Sequence, residues 1–149
     1  MKDVLETTRL QVRRFIKAPC ARVFEAWTRP ELMKQWFSPG PMTTPDAQSD
    51  LKSGGAYKVV MRQPDGVTFT AVGVYKEIVP DKKLVFTWGW EGGGDMGGRQ
   101  ETLVTLEFSE KDGGTELTLT HERFAAAEET KKHLEGWNGC LDKLAAWVK

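Results

Sequence analysis

The chain has 149 residues, 40% hydrophobic and 28% charged, as expected of an ordinary globular domain with one core. Lys plus Arg and Asp plus Glu number 21 each and are interspersed, so nucleic acid and anionic membranes, which want a basic excess, are not expected partners. No apolar run approaches the length of a membrane span, and the opening MKDVLETTRL lacks the apolar region of an export signal; a cytoplasmic protein with Cys20 and Cys140 reduced is the expectation.

In chain order, residues 7–16 alternate, with Leu10, Val12 and Ile16 on one face and Arg14 between them, which predicts a first strand. Ala18-Pro19 stops it. Cys20 to Trp27 then reads as a short helix, with Val23, Phe24 and Trp27 on one side. A second short helix runs from Pro30, a residue suited to a first helical turn, to about Trp36. Residues 37–45 hold three prolines and a glycine and read as a break. A short strand is expected near Ala47–Leu51. Ala56–Arg62 alternates Tyr57, Val59 and Met61 against Lys58, Val60 and Arg62. The turn Pro64-Asp65-Gly66 leads into a long strand over Thr68–Val79.

Lys83–Trp90 places Leu84, Phe86, Trp88 and Trp90 on one face, the most aromatic in the chain. The glycine tract over 91–99 reads as a loop, either a gate over a cavity or an idle hairpin connection. Gln100–Ser109 is the next strand, with Thr102, Val104, Leu106 and Phe108 aligned. After Asp112-Gly113-Gly114, Thr115–Arg123 sets Leu117, Leu119 and His121 on one face. The last stretch, about Ala125 to Val148, has Leu134, Trp137, Leu141, Leu144, Ala145 and Val148 on a single helical stripe. Ala125-Ala126-Ala127 offers no side-chain cap, and Gly136 and Gly139 each cost a helix roughly 1 kcal/mol relative to Ala. This helix must therefore be held by packing.

The order is strand, two short helices, six strands joined mainly by tight turns, then a long helix. It predicts an α+β single domain over 1–149: a curved antiparallel sheet of six or seven strands gripping the C-terminal helix. The sequence resembles the START-like (SRPBCC, Bet v 1-like, helix-grip) superfamily, and within it the Aha-type family named for the activator of the 90-kDa heat-shock protein ATPase. The resemblance rests on Arg14-Phe15-Ile16-Lys17-Ala18-Pro19 followed by Val23-Phe24-Glu25-Ala26-Trp27-Thr28, then Pro30-Glu31-Leu32 with Trp36, and Gly54-Gly55 with Tyr57. It continues through Gly73-Val74-Tyr75-Lys76-Glu77-Ile78, Leu84-Val85-Phe86-Thr87-Trp88 and Thr118-Leu119-Thr120-His121-Glu122, ending with Gly136-Trp137, Cys140-Leu141 and Leu144. It implies a cavity between sheet and long helix and no fixed chemistry.

The residues expected around such a cavity are Trp36, Tyr57, Met61, Phe69, Phe86, Trp88, Trp90, His121, Trp137 and Leu141, with indole N–H and phenol O–H groups to orient a guest. The rival reading is a filled core. His121 either orients a polar group of the guest or hydrogen-bonds structurally; no acid or base partner stands beside it for catalysis. His121-Glu122 opens an H-E-x-x-H pattern, but position 125 is Ala, so no metal is expected. Gly92 to Gly97 fits G-x-G-x-x-G, but a strand follows where a dinucleotide site needs a helix, so no cofactor is expected either. Arg14 serves a strand-end ion pair or a guest carboxylate.

The function expected is binding of a small hydrophobic or aromatic ligand, without catalysis. The family name suggests an alternative, a co-chaperone of the 90-kDa heat-shock protein. The known co-chaperone carries an additional N-terminal domain, so that partner is not expected here. A cavity enzyme of cyclase or hydrolase type is the third reading. A homodimer through a sheet edge or the tryptophan-rich surface stays open.

Overall fold

The computed structural model describes residues 4–91 and 101–148. The elements, in order, are β1 (Val4–Leu5), β2 (Arg9–Ile16), α1 (Cys20–Thr28), α2 (Pro30–Trp36), β3 (Thr43–Ser49), β4 (Ala56–Arg62), β5 (Thr68–Val79), β6 (Lys83–Trp90), β7 (Thr102–Lys111), β8 (Gly114–Glu122) and α3 (Ala127–Val148). The strands form one antiparallel sheet of eight in the order β1-β2-β8-β7-β6-β5-β4-β3. The expected helix-grip architecture is observed. Its eighth strand is the two-residue β1, paired on the outer edge of β2. The glycine tract expected as a loop or gate falls almost wholly outside the described residues.

Local chemistry explains the connections. Asp112 and Gly113 carry φ values of 47° and 80°, the left-handed pair of a type I′ turn, so β7 and β8 close with Lys111 opposite Gly114. The strand expected near 47–51 begins earlier, at Thr43, and contains Pro45. Proline is tolerated because β3 is a sheet edge and its register slips by one residue between Thr43 and Asp46. A second shift, between Tyr75 and Glu77 in β5, reverses the inward parity. Ala71 and Tyr75 face the core before it, and Ile78 packs there after it.

The concave face carries Leu10, Val12, Tyr57, Val59, Met61, Leu84, Phe86, Trp88, Val104, Leu106, Leu117 and Leu119, all buried. Onto it α3 lays Thr130, His133, Trp137, Cys140, Leu141, Leu144 and Val148. This stripe is wider than the apolar pattern predicts, because a threonine, a histidine and a cysteine extend it, while Leu134 lies at its margin, half-buried.

Contacts from outside the helix hold α3 along its length. Near its start, the Thr130 hydroxyl donates to the Thr7 carbonyl at 2.7 Å. In the middle, the Arg14 guanidinium spans Asp142 at 2.6 Å and Asn138 at 3.0 Å, which is the ion-pair role weighed for it. Lys143 Nζ donates to the Ser38 hydroxyl at 2.9 Å and to the Met42 carbonyl at 2.7 Å, tying α3 to the link between α2 and β3. At the end, Arg22 Nε donates to the Val148 carbonyl at 3.0 Å, placing a cation on the negative helix terminus.

The lysine and the ion pair differ in burial, and so in expected worth. Lys143 is half-buried over a backbone carbonyl, whereas the Asp142 side chain is 73% exposed. Lys143→Ala should cost about 1.5–3 kcal/mol by removing charge-assisted hydrogen bonds to two partly buried acceptors, and Asp142→Ala no more than about 1 kcal/mol. Urea denaturation of the two variants checks the order; equal losses would contradict it.

Candidate functional site

The concave space is mostly filled by rings. Trp27 meets Trp36 edge-on at 4.6 Å and Phe37 at 5.3 Å. Trp137 lies 4.9 Å from Trp88 and 5.8 Å from Phe37. Among the described residues, two voids lie between these side chains. The larger, about 40 Å³, is bordered by Pro39, Met61, Trp88, Trp90, Lys132, His133, Gly136, Trp137 and Cys140, room for roughly three waters. The smaller, about 10 Å³, lies among Trp27, Met33, Phe37, Tyr57, Tyr75 and Phe86.

The structure therefore sorts the expected cavity residues. Met61, Trp88, Trp90 and Trp137 come together around the larger void. Tyr57 and Phe86 border the smaller one, and the Tyr57 hydroxyl donates to the Thr87 carbonyl. Trp36 packs behind Trp27 and donates its N–H to the Ala26 carbonyl at 3.0 Å. Leu141 is fully buried and does not border either void. Phe69 is half-buried beside Trp90, with ring centroids 6.5 Å apart.

His121 stands one layer behind the larger void, in a chain of hydrogen bonds. Trp137 Nε1 donates to His121 Nδ1 at 2.9 Å. That nitrogen is therefore unprotonated, and the ring proton sits on Nε2, 2.6 Å from the Thr102 hydroxyl oxygen. Thr102 in turn donates to the Trp88 carbonyl at 2.9 Å. Both ring nitrogens are committed and the ring is fully buried, which favours the structural role for this histidine. Burial, and then the proximity of His133, push its pKa well below the usual histidine value.

His133 is the residue that sequence reasoning missed. It lies one helical turn before Trp137, on the same stripe, but a pattern of apolar residues does not count histidine. Its Nδ1 lies 2.8 Å from the Glu129 carbonyl and must carry the proton there. Nε2 is then a lone pair, and it accepts the Trp90 N–H at 3.2 Å. Burial lowers its pKa, against an opposing contribution from Glu129. Cys140, also on the border, is pushed up to about 12 by burial and is an inert thiol.

The two helix glycines differ. A Cβ on Gly139 would stand 3.0 Å from the Gly40 nitrogen and 3.2 Å from Pro39 Cα, so Gly139 permits close approach of α3 to the link after α2. A Cβ on Gly136 would meet nothing within 4 Å among the described residues, so their packing gives no reason for glycine there. Gly136 borders the larger void.

Residues 17–149 match the pattern of the family described as activator of Hsp90 ATPase homolog 1-like protein. The chain belongs to this family. Among solved structures it is similar to a protein from Chromobacterium violaceum, at 25% identity, with 95% of this chain and 96% of that one covered and a TM-score of 0.85. It is also similar to an AHSA1 protein from Silicibacter pomeroyi, at 26% identity over 93% and 95% of the two chains, TM-score 0.81. A protein from Rhizobium leguminosarum is similar at 27% identity over 99% and 98%, TM-score 0.79. No protein with a curated functional description matches the chain.

Two predictions follow from this geometry. Gly136→Ala should stabilise α3 by up to about 1 kcal/mol, the propensity difference, whereas Gly139→Ala should not, since Pro39 and Gly40 must give way. Thermal unfolding of both variants decides it; equal gains would refute the packing argument. The second concerns pH. The fold lowers the pKa of His121 and His133 by burial, while in the unfolded chain a histidine takes up its proton near the ordinary value of 6.5. As pH falls below about 6.5, the unfolded state binds protons that the fold refuses, and each histidine removes up to about 1.4 kcal/mol of stability per pH unit. The loss continues until pH reaches the depressed folded value; above about 6.5 these groups contribute no slope. His133→Leu should make the acid slope shallower, as urea midpoints between pH 5 and 7.5 will report.

Proposed function

We propose that this protein binds a small apolar or aromatic molecule between the sheet and α3, in the void bordered by Met61, Trp88, Trp137 and Gly136. The observation that carries the reading is Gly136. A glycine in mid-helix costs stability, no neighbour among the described residues demands it, and its evident consequence is space at an apolar wall. Family membership and the helix-grip fold support the same reading.

The void holds only a few heavy atoms as it stands, far below the roughly 300 Å³ of an ordinary ligand site. Entry of a ring therefore requires a wall residue to move. Trp90 is the candidate, since it stands half-buried at the end of β6, where it donates one N–H bond to His133 and packs on Trp88 and Phe69. Binding rather than turnover is favoured because His121 has both ring nitrogens engaged and, among the described residues, those that border the void carry no carboxylate.

The test is a thermal-shift screen with small aromatic compounds, joined to native mass spectrometry of protein from its own host. A ligand at 100 times its Kd should add about 2.7 kcal/mol, or about 5–10 °C in Tm for a chain of this size. Gly136→Leu, which fills the space, should abolish the shift. Adduct-free spectra and no shift across the screen would remove the reading.

A further inference from the structure

The two voids follow one another along the concave face. On β6, Trp90 is half-buried, while Trp88 and Phe86 behind it are buried. Trp88 and Trp90 border the larger void and Phe86 the smaller. On β4, Met61 borders the larger and Tyr57 the smaller. The smaller void is therefore the inner one. Phe37, the residue after α2, borders it. The Phe37 ring also stacks on Trp88, with centroids 6.2 Å apart and planes 9° from parallel, and lies 5.8 Å from Trp137. Two residues on, Pro39 borders the larger void. This one stretch of chain thus contributes to the walls of both.

The backbone there is fixed without help from the Phe37 ring. The Thr44 hydroxyl donates to the Phe37 carbonyl at 2.9 Å, and the Phe37 N–H donates to the Met33 carbonyl at 3.0 Å. Lys143 holds the Ser38 hydroxyl at 2.9 Å. Trp137, by contrast, is bonded through its own ring to His121. A phenylalanine side chain has no polar atom to satisfy, so Phe37 shapes the space by bulk alone.

Resting on the pocket reading above, we infer that the Phe37 ring is the inner stop of the pocket, separating the larger void from the smaller and limiting the guest to a single ring. A dry apolar cavity of about 150 Å³ takes one benzene ring, and the larger void is only about 40 Å³. A guest that has entered past Trp90 has no room for a second fused ring unless it extends inward, toward Tyr57 and Phe86. Phe37, packed on Trp88 and Trp137, stands in that direction.

Toluene and naphthalene, titrated calorimetrically and followed by the methionine methyl resonances, test this. Met61 borders the larger void and Met33 the smaller, so each methyl reports on one space. The wild type should bind naphthalene about tenfold more weakly than toluene, because forcing extra atoms into a packed wall outweighs their burial. Toluene should shift Met61 and leave Met33 in place. In Phe37→Ala, naphthalene should bind about tenfold more tightly than in the wild type and shift both methyls; Phe37→Leu should move the same way by less. Leu117 is fully buried and borders neither void, so Leu117→Ala should leave naphthalene affinity within about threefold. Naphthalene binding the wild type as tightly as toluene would overturn the stop and leave the pocket standing. A gain in Phe37→Ala with Met33 unmoved, or an equal gain in Leu117→Ala, would overturn the assignment to Phe37. If neither probe binds the wild type, the pocket reading fails and this inference fails with it. Should Phe37→Ala not fold, the wild-type ratio and Phe37→Leu decide.

Discussion

The bond from the Trp137 indole to His121 is the point on which the arrangement of helix and sheet depends. It joins the middle of α3 to the floor of the concave face, where both side chains are buried and water cannot substitute. It also sets a direction. Because Trp137 can only donate, His121 must accept on Nδ1 and donate from Nε2, and Thr102 must pass its proton to the Trp88 carbonyl. One sequence of donors thus runs from helix to β8, β7 and β6, and every member is satisfied. Such a buried network is costly to break anywhere along its length.

Around that chain the aromatic side chains pack in edge-on and tilted arrangements that close most of the space between sheet and helix. The long helix does not fill the concavity alone; Trp27, Trp36 and Phe37, carried by α1, α2 and the residue after them, occupy the part it cannot reach. What remains open lies between His133, Trp90 and Gly136. There the helix backbone presents no side chain, and a second neutral histidine repeats the pairing of indole N–H with imidazole lone pair. The difference is exposure: the Trp137–His121 pair is sealed, and the Trp90–His133 pair includes a half-buried tryptophan at a strand end. The same chemistry is sealed from water in one place and reaches a partly exposed side chain in the other.

The fold was legible in the sequence to a large extent because its signals are local. Alternation in Lys83–Trp90 and Thr102–Phe108, turn chemistry at Asp112-Gly113, and the stripe through Trp137, Leu141, Leu144 and Val148 each depend on neighbours in the chain. The site was legible only in part. Met61, Trp88, Trp90 and Trp137 could be named from their strand and helix faces. His133 could not, since its place on the stripe is visible but its value as an acceptor depends on Trp90, 43 residues away. The two histidines also reverse expectation: the conspicuous one, His121, lies behind the void, and the overlooked one borders it.

By itself the sequence determined the order of elements, the antiparallel pairing of hairpin-linked strands, the need for one long helix to cover the sheet, and the resemblance that places the chain in its family. Periodicity and turn geometry act over a few residues, so they can be read without coordinates. Only the tertiary structure decided how much space is left, which glycine keeps it open and which tethers two segments, and which nitrogen of each histidine carries its proton. Those outcomes depend on distances between residues far apart in the chain. A void of about 40 Å³ is a small difference between large packed volumes, and no local pattern encodes it.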